Sequence, residues 1–307
     1  MKAYSIFDDF TEEASLLLRS EGVELVIHPC GTPRPNADEM RSILEEYDCV
    51  IIGTSQKIKK DMFDNISTPR VIATASVGVD HIQIPEKKRD LVQIINTPKA
   101  NAQSVAEYTF ATILSCCKRL NEGNRLYRAG MDNKKLSKKP EDLYKKTIGL
   151  IGAGNISEKI IDYANCFGMN IICWTPHPQK HANLLDKNVV FTNIEELVVD
   201  ADIISVNLPS NRETKGIISR ELITRMKENV IFVSVSRIET IDIKALFEKA
   251  MLDSNCYICL DIDVDLDIVH NLVEMKNVYI TPHIAGGTIE TRKRMFKEIA
   301  YQIITCR

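Results

Sequence analysis

Short runs of aliphatic and β-branched residues alternate with longer stretches of helical spacing along almost the whole chain. Such alternation predicts α/β layers built around parallel sheets. The first strand series is expected at residues 3–7, 23–28, 49–53, 71–75 and 92–95. A long helical region is expected over 102–128. A second series then follows at 147–151, 170–174, 203–207, 230–235, 257–261 and 278–280, and the last stretch, 288–305, has helical periodicity. The two series meet near Asn96-Thr97-Pro98, where Pro98 disfavours helix at Thr97 and marks a turn. Two α/β domains are therefore expected, as the 307-residue length also suggests.

Composition narrows the class. Thirty-nine Lys and Arg against 42 Asp and Glu leave a formal charge of −3, so nothing points to a nucleic-acid partner. The most charged segment, 132–146, mixes six lysines with Asp132, Glu141 and Asp142 and reads as a solvated loop. No apolar run approaches the roughly 18 residues of a membrane span, and Asp8 and Asp9 interrupt the N-terminus before a signal-peptide core can form. Nine scattered cysteines predict a reducing compartment, so a cytoplasmic protein is expected. Cys256 and Cys259 are three apart on an expected strand and should point to opposite faces, which argues against a metal or redox pair. No metal site is expected; His177 and His181 would need a helix that Pro176 and Pro178 oppose.

The strongest local motif is the strand Thr147–Ile151 running into Gly152-Ala153-Gly154-Asn155-Ile156-Ser157. Gly152 permits a tight turn, Gly154 lets the backbone approach a pyrophosphate, and the following helix offers its N-terminal N–H groups and positive dipole end. Ser157 takes the place of a third glycine and is small enough to serve. The next strand ends at Trp174, where an acidic residue would hold an NAD ribose. No carboxylate stands in Thr175-Pro176-His177-Pro178-Gln179-Lys180. Thr175, His177 and Lys180 can donate to a 2′-phosphate, so NADP is favoured, with NAD the alternative.

An ordered set of motifs extends from about residue 73 to 287: Ser76-Val77-Gly78-Val79-Asp80; Asn96-Thr97-Pro98 with Ser104-Val105-Ala106-Glu107; Gly152-Ala153-Gly154; Leu208-Pro209 with Glu213-Thr214-Lys215-Gly216; Ser236-Arg237; Leu260-Asp261; and Thr281-Pro282-His283-Ile284-Ala285-Gly286-Gly287. In these the chain resembles the D-isomer-specific 2-hydroxyacid dehydrogenases. The resemblance implies a flavodoxin-like substrate domain, 1–98 completed by the helix of 287–307, and a Rossmann domain over 99–286, with the active site in the cleft between them. It implies a homodimer through the Rossmann domain, and a small 2-oxo or 2-hydroxy acid as substrate. It places Ser104, Gly152, Gly154, Asn155, Ile156, Leu208, Pro209, Thr214, Val235 and Ser236 along the cofactor and gives Asp261 the nicotinamide carboxamide. Arg237 follows a strand end, where ligands bind in such sheets, and its planar fork suits carboxylate and carbonyl oxygens; the resemblance makes it the substrate-binding arginine. The resemblance gives His283 the general acid/base role, for which imidazole is suited, and the backbone N–H groups of Val77 and Gly78 a second hold on the carboxylate. No regulatory domain is expected after Arg307.

The sequence departs from the family in two places. The usual histidine-pairing glutamate is missing, and Asp261-Ile262-Asp263-Val264-Asp265-Leu266-Asp267 stands in its segment. Asp267 or Asp265 is the candidate replacement, Asp267 preferred. The glycine pair after the arginine is replaced by Ile238-Glu239, and Glu239 is expected to turn outward. An active 2-oxoacid reductase is the main expectation, and a dinucleotide-responsive binding or regulatory protein with catalysis lost is the second. A formate dehydrogenase shares the layout but normally has a longer chain.

Overall fold

The computed structural model describes residues 1–64, 69–262, 270, 272 and 275–306. The chain forms two compact units, Met1–Asn101 with Thr288–Arg307, and Ala102–Gly287.

In the first unit, β1 (Lys2–Ser5), α1 (Glu12–Ser20), β2 (Glu24–Ile27), α2 (Ala37–Glu46), β3 (Cys49–Ile52), β4 (Val71–Thr74) and β5 (Gln93–Ile95) alternate as the apolar runs predict. The five strands are parallel in the order β2-β1-β3-β4-β5, a flavodoxin-like sheet. β3 and β4 are buried at every position, as central parallel strands covered on both faces must be. Asn36 starts α2 with a capping box closed by Glu39. The C-terminal helix (Ile289–Thr305) completes this core: Phe296, Ile299, Ala300 and Ile303 are fully buried. The Phe296 ring packs 5.0 Å from that of Phe7 and 4.7 Å from that of Phe10.

The second unit contains α3 (Ala102–Cys117), α4 (Leu120–Arg128), β6 (Thr147–Ile151), α5 (Asn155–Cys166), β7 (Asn170–Trp174), β8 (Val189–Phe191), α6 (Ile194–Asp200), β9 (Ile203–Val206), α7 (Arg220–Arg225), β10 (Ile231–Ser234), α8 (Ile243–Leu252), β11 (Tyr257–Asp261) and β12 (Val278–Thr281). Its parallel sheet runs β12-β11-β10-β9-β6-β7-β8. Strand order reverses beside β6, and in such sheets the crevice at that reversal is where ligands bind. Gly149 brings α6 against the sheet: a Cβ there would stand 2.6 Å from Leu197 Cδ2. Cys256, immediately before β11, and Cys259 within it belong to the two different hydrophobic clusters of this unit, in agreement with opposite faces of the sheet. Cys259 Sγ lies 3.6 Å from Cys116 Sγ.

The helix expected over 102–128 is broken. Arg119 takes a left-handed φ of 54° between α3 and α4, and its guanidinium donates to the Tyr257 hydroxyl at 2.6 Å. The contact that accompanies the break is with Tyr257 on β11, far along the chain. β8, absent from the expected series, is a three-residue strand too short to show a period. No helix among the described residues is long and apolar enough to cross a membrane.

An ionic cluster caps the base of this sheet. Lys138 and Lys146 both hydrogen-bond Glu141 and hold its carboxyl at about 2, against an ordinary 4.5. A carboxyl depressed by folding adds stability above its unfolded pKa and loses it as pH falls through the folded value. Glu141→Gln is therefore expected to lower stability at neutral pH, by on the order of 1 kcal/mol after allowance for solvent screening. It should also flatten the decline in Tm between pH 4.5 and about 2, which circular dichroism melts across that range would show.

Candidate active site

The turn after β6 is shaped for a phosphate-bearing ligand. Gly152 has φ +106°, and a Cβ there would stand 2.8 Å from the Asn207 carbonyl oxygen. Its N–H donates to the Trp174 carbonyl at 2.8 Å, which closes the turn onto β7. Gly154 is exposed, a Cβ there would meet nothing within 4 Å, and as the N-cap of α5 it brings no side-chain cap of its own. A helix N-terminus at the end of a central parallel strand suits a pyrophosphate. Ser157 is buried and donates to the Gly152 carbonyl at 2.6 Å while accepting from Asn207 Nδ2 at 3.2 Å, so it fastens the turn to the helix. These residues fit a dinucleotide. Gly152→Ala is expected to abolish dinucleotide binding and lower the thermal midpoint, because strain of about 1–3 kcal/mol joins a backbone clash; NADPH titration and a melt would show both.

Thr175, His177 and Lys180 follow β7, with His177 and Lys180 exposed. Lys180 N–H donates to the His177 carbonyl at 3.0 Å in the short helical turn that Pro178 opens. The loop after β9 is held from within: Thr214 donates to the Pro209 carbonyl at 2.6 Å, and Ser236 Oγ accepts the Leu208 N–H at 2.8 Å. Ser104 and Leu208 are buried, Val235 is half-buried, and Asn155 and Ile156 occupy the first turn of α5.

Arg237 and His283 emerge after β10 and β12. Arg237 caps a short turn in which Thr240 donates to its carbonyl at 2.8 Å, leaving the guanidinium exposed. Among the described residues no carboxylate forms an ion pair with Arg237. Its Nη1 lies 3.5 Å from His283 Nε2, so two side chains 46 positions apart meet at one point. His283 has φ +52°, a left-handed conformation that costs a non-glycine residue about 1–2 kcal/mol. The carboxylate of Asp261 accepts from Thr281 Oγ1 at 2.6 Å, Ile284 N–H at 2.8 Å and Ala285 N–H at 2.8 Å, bracketing the histidine. Glu239 is exposed. The proposed partners Asp265 and Asp267, with Asp263, lie outside the described residues.

Val77 and Gly78 belong to the first unit. The Val77 carbonyl accepts from Asn96 Nδ2 at 2.7 Å and the Gly78 carbonyl from Ser76 Oγ at 2.7 Å. No acceptor takes either N–H among the described residues. Sequence reasoning assigned nothing to Tyr108 and passed over Thr281, although Thr281 stands in the quoted histidine motif. The Tyr108 hydroxyl lies 2.7 Å from Thr281 Oγ1.

The glycine turn lies at the strand-order reversal of this sheet, and Arg237 and His283 meet beyond the ends of β10 and β12, with β11 between them. Residues 110–285 match the family model described as the NAD-binding domain of D-isomer specific 2-hydroxyacid dehydrogenases. Hydroxypyruvate reductase of Thermotoga maritima is 31% identical over 296 residues, 95% of this chain and 94% of the relative. Glyoxylate reductase of Thermofilum pendens is 28% identical over 297 residues, 95% of this chain and 88% of the relative. Among solved structures, an acyclic imino acid reductase in complex with NADPH and D-Arg has a TM-score of 0.85 at 25% identity, covering 99% of this chain and 96% of that one. The chain belongs to the D-isomer specific 2-hydroxyacid dehydrogenase family, whose members are NAD(P)-dependent oxidoreductases.

Proposed function

We propose that this protein reduces a small 2-oxo acid of the hydroxypyruvate or glyoxylate type to its D-2-hydroxy acid, with NADPH preferred to NADH. The observation that carries the reading is the meeting of Arg237 and His283, 3.5 Å apart, beyond the strand ends of the sheet that bears the glycine turn. A bound reduced nicotinamide supplies the hydride for the carbonyl carbon. Arg237 binds the substrate carboxylate and carbonyl oxygen through its fork, neutralising charge that grows on the oxygen during reduction. His283 delivers a proton to that oxygen, so carbon gains the hydride, oxygen the proton, and the alcohol forms. In oxidation the same imidazole takes the proton back. The absence of an acidic residue after Trp174, with Thr175, His177 and Lys180 in its place, supports NADPH.

The test is the loss of NADPH or NADH absorbance against glyoxylate, hydroxypyruvate, pyruvate and an aryl pyruvate. One further arm uses a 2-oxo acid mixed with an amine, prompted by the imino acid reductase of like fold. Turnover of glyoxylate or hydroxypyruvate, faster with NADPH, is the expected result. If no acid is reduced while NADPH quenches Trp174 emission, the protein binds dinucleotide without catalysing reduction. Turnover only in the amine arm moves the substrate class to imino acids.

A further inference from the structure

A chain of hydrogen bonds leads from α3 to the histidine loop, and the proposed chemistry makes no use of its far end. Asp261 is buried, at 2% exposure, and as a carboxylate it can only accept. Thr281 must therefore give its single hydroxyl proton to Asp261 Oδ1, 2.6 Å away. The Thr281 oxygen is then an acceptor towards Tyr108, so the phenol donates across the 2.7 Å contact. Burial raises the Tyr108 hydroxyl above its ordinary 10.0, which keeps that donor protonated. Proton inventory thus fixes one direction for the chain: Tyr108 to Thr281 to Asp261. The two carboxylate oxygens also take the N–H groups of Ile284 and Ala285, both at 2.8 Å, immediately after the left-handed His283. A carboxylate has about four acceptor positions, so one remains after these three donors, and a cofactor carboxamide can still be accepted there.

We propose that Tyr108 is a positioning residue for His283: through Thr281 it fixes the Asp261 carboxylate that holds the histidine loop in its left-handed turn. Tyr108 touches neither the histidine nor the strand-end arginine in this chain of contacts; it acts through the orientation of another side chain. The kinetic consequence rests on the reductase reading above, whereas the hold on the loop does not.

Two readouts separate these. Tyr108→Phe keeps the ring and removes only the donor, and Thr281→Val removes the hydroxyl with little change of shape. Each variant is expected to raise amide hydrogen exchange at Ile284 and Ala285 by about fivefold or more, the effect of losing one hydrogen bond. In turnover, kcat for the best 2-oxo acid should fall by a similar factor with the NADPH dissociation constant within twofold of wild type. Thr281→Ser, which retains the hydroxyl, should restore both values. The double variant should be no worse than Thr281→Val alone, because the two hydroxyls act in series. Exchange at both amides within twofold of wild type in Tyr108→Phe and Thr281→Val would overturn the proposal. A weaker hold on NADPH with kcat and exchange unchanged would overturn it too, since the chain would then serve only the cofactor. If exchange rises as expected and the wild type reduces no 2-oxo acid, the hold on the loop stands and the reductase reading falls.

Discussion

His283→Ala is expected to lower kcat for 2-oxo acid reduction by about 10²–10⁴-fold, the usual worth of a positioned general acid. The expectation rests on its place: an exposed imidazole beyond β12, its Nε2 3.5 Å from the Arg237 guanidinium, on a loop bracketed by Asp261. Alanine also disturbs the backbone, since φ at position 283 is +52° and alanine tolerates that region poorly. His283→Asn separates the two effects. Asparagine accepts left-handed backbone more readily and keeps a polar side chain, yet cannot act as a proton donor of comparable acidity. Both variants should therefore lose turnover, while Asn should keep the wild-type thermal midpoint. Steady-state rates with NADPH, a dinucleotide titration and a melt decide the matter together. Full activity in His283→Asn would remove the histidine from the mechanism.

Arg237→Ala is expected to lower kcat/KM by about a thousandfold, equivalent to roughly 4 kcal/mol of lost transition-state binding. The guanidinium is proposed to meet two substrate oxygens at once, and among the described residues no protein carboxylate competes for it. Arg237→Lys keeps the charge but loses the fork, so it should recover only part of the loss. A charged residue kept merely for surface solvation would show neither effect. Saturation curves for each variant distinguish binding from chemistry: loss in KM alone marks a hold on the ground state, and loss in kcat marks the developing oxyanion.

The glycine turn could be read from sequence because its parts are local. Gly152, Gly154 and Ser157 lie within six residues of one another, and the flanking strand and helix announce themselves by period. That Arg237 and His283 follow strand ends was legible for a related reason, since the strands before them show as apolar runs; the roles proposed for the two come from the family resemblance. Tyr108 was not legible, since 173 positions separate it from Thr281 and nothing local in α3 marks one tyrosine among its neighbours. The break at Arg119 was hidden likewise, the contact that accompanies it being with Tyr257, 138 positions away. The family resemblance gave Asp261 an expected cofactor contact; that Thr281, Ile284 and Ala285 donate to its carboxylate could be seen only once β11 and β12 were laid side by side.

The interrupted first unit has a consequence for biosynthesis. Domains generally fold as units while the ribosome extends the chain, N-terminal parts first. Here Met1–Asn101 emerges first but lacks Phe296, Ile299, Ala300 and Ile303 until the intervening 102–287 has been made. The nascent chain must carry Phe7 and Phe10 without their aromatic partner throughout that interval. The later unit, contiguous in sequence, can close first, so the order of completion is the reverse of the order of emergence. During translation, the exposed apolar surface that calls for chaperone protection is thus on the part of the protein that was made earliest.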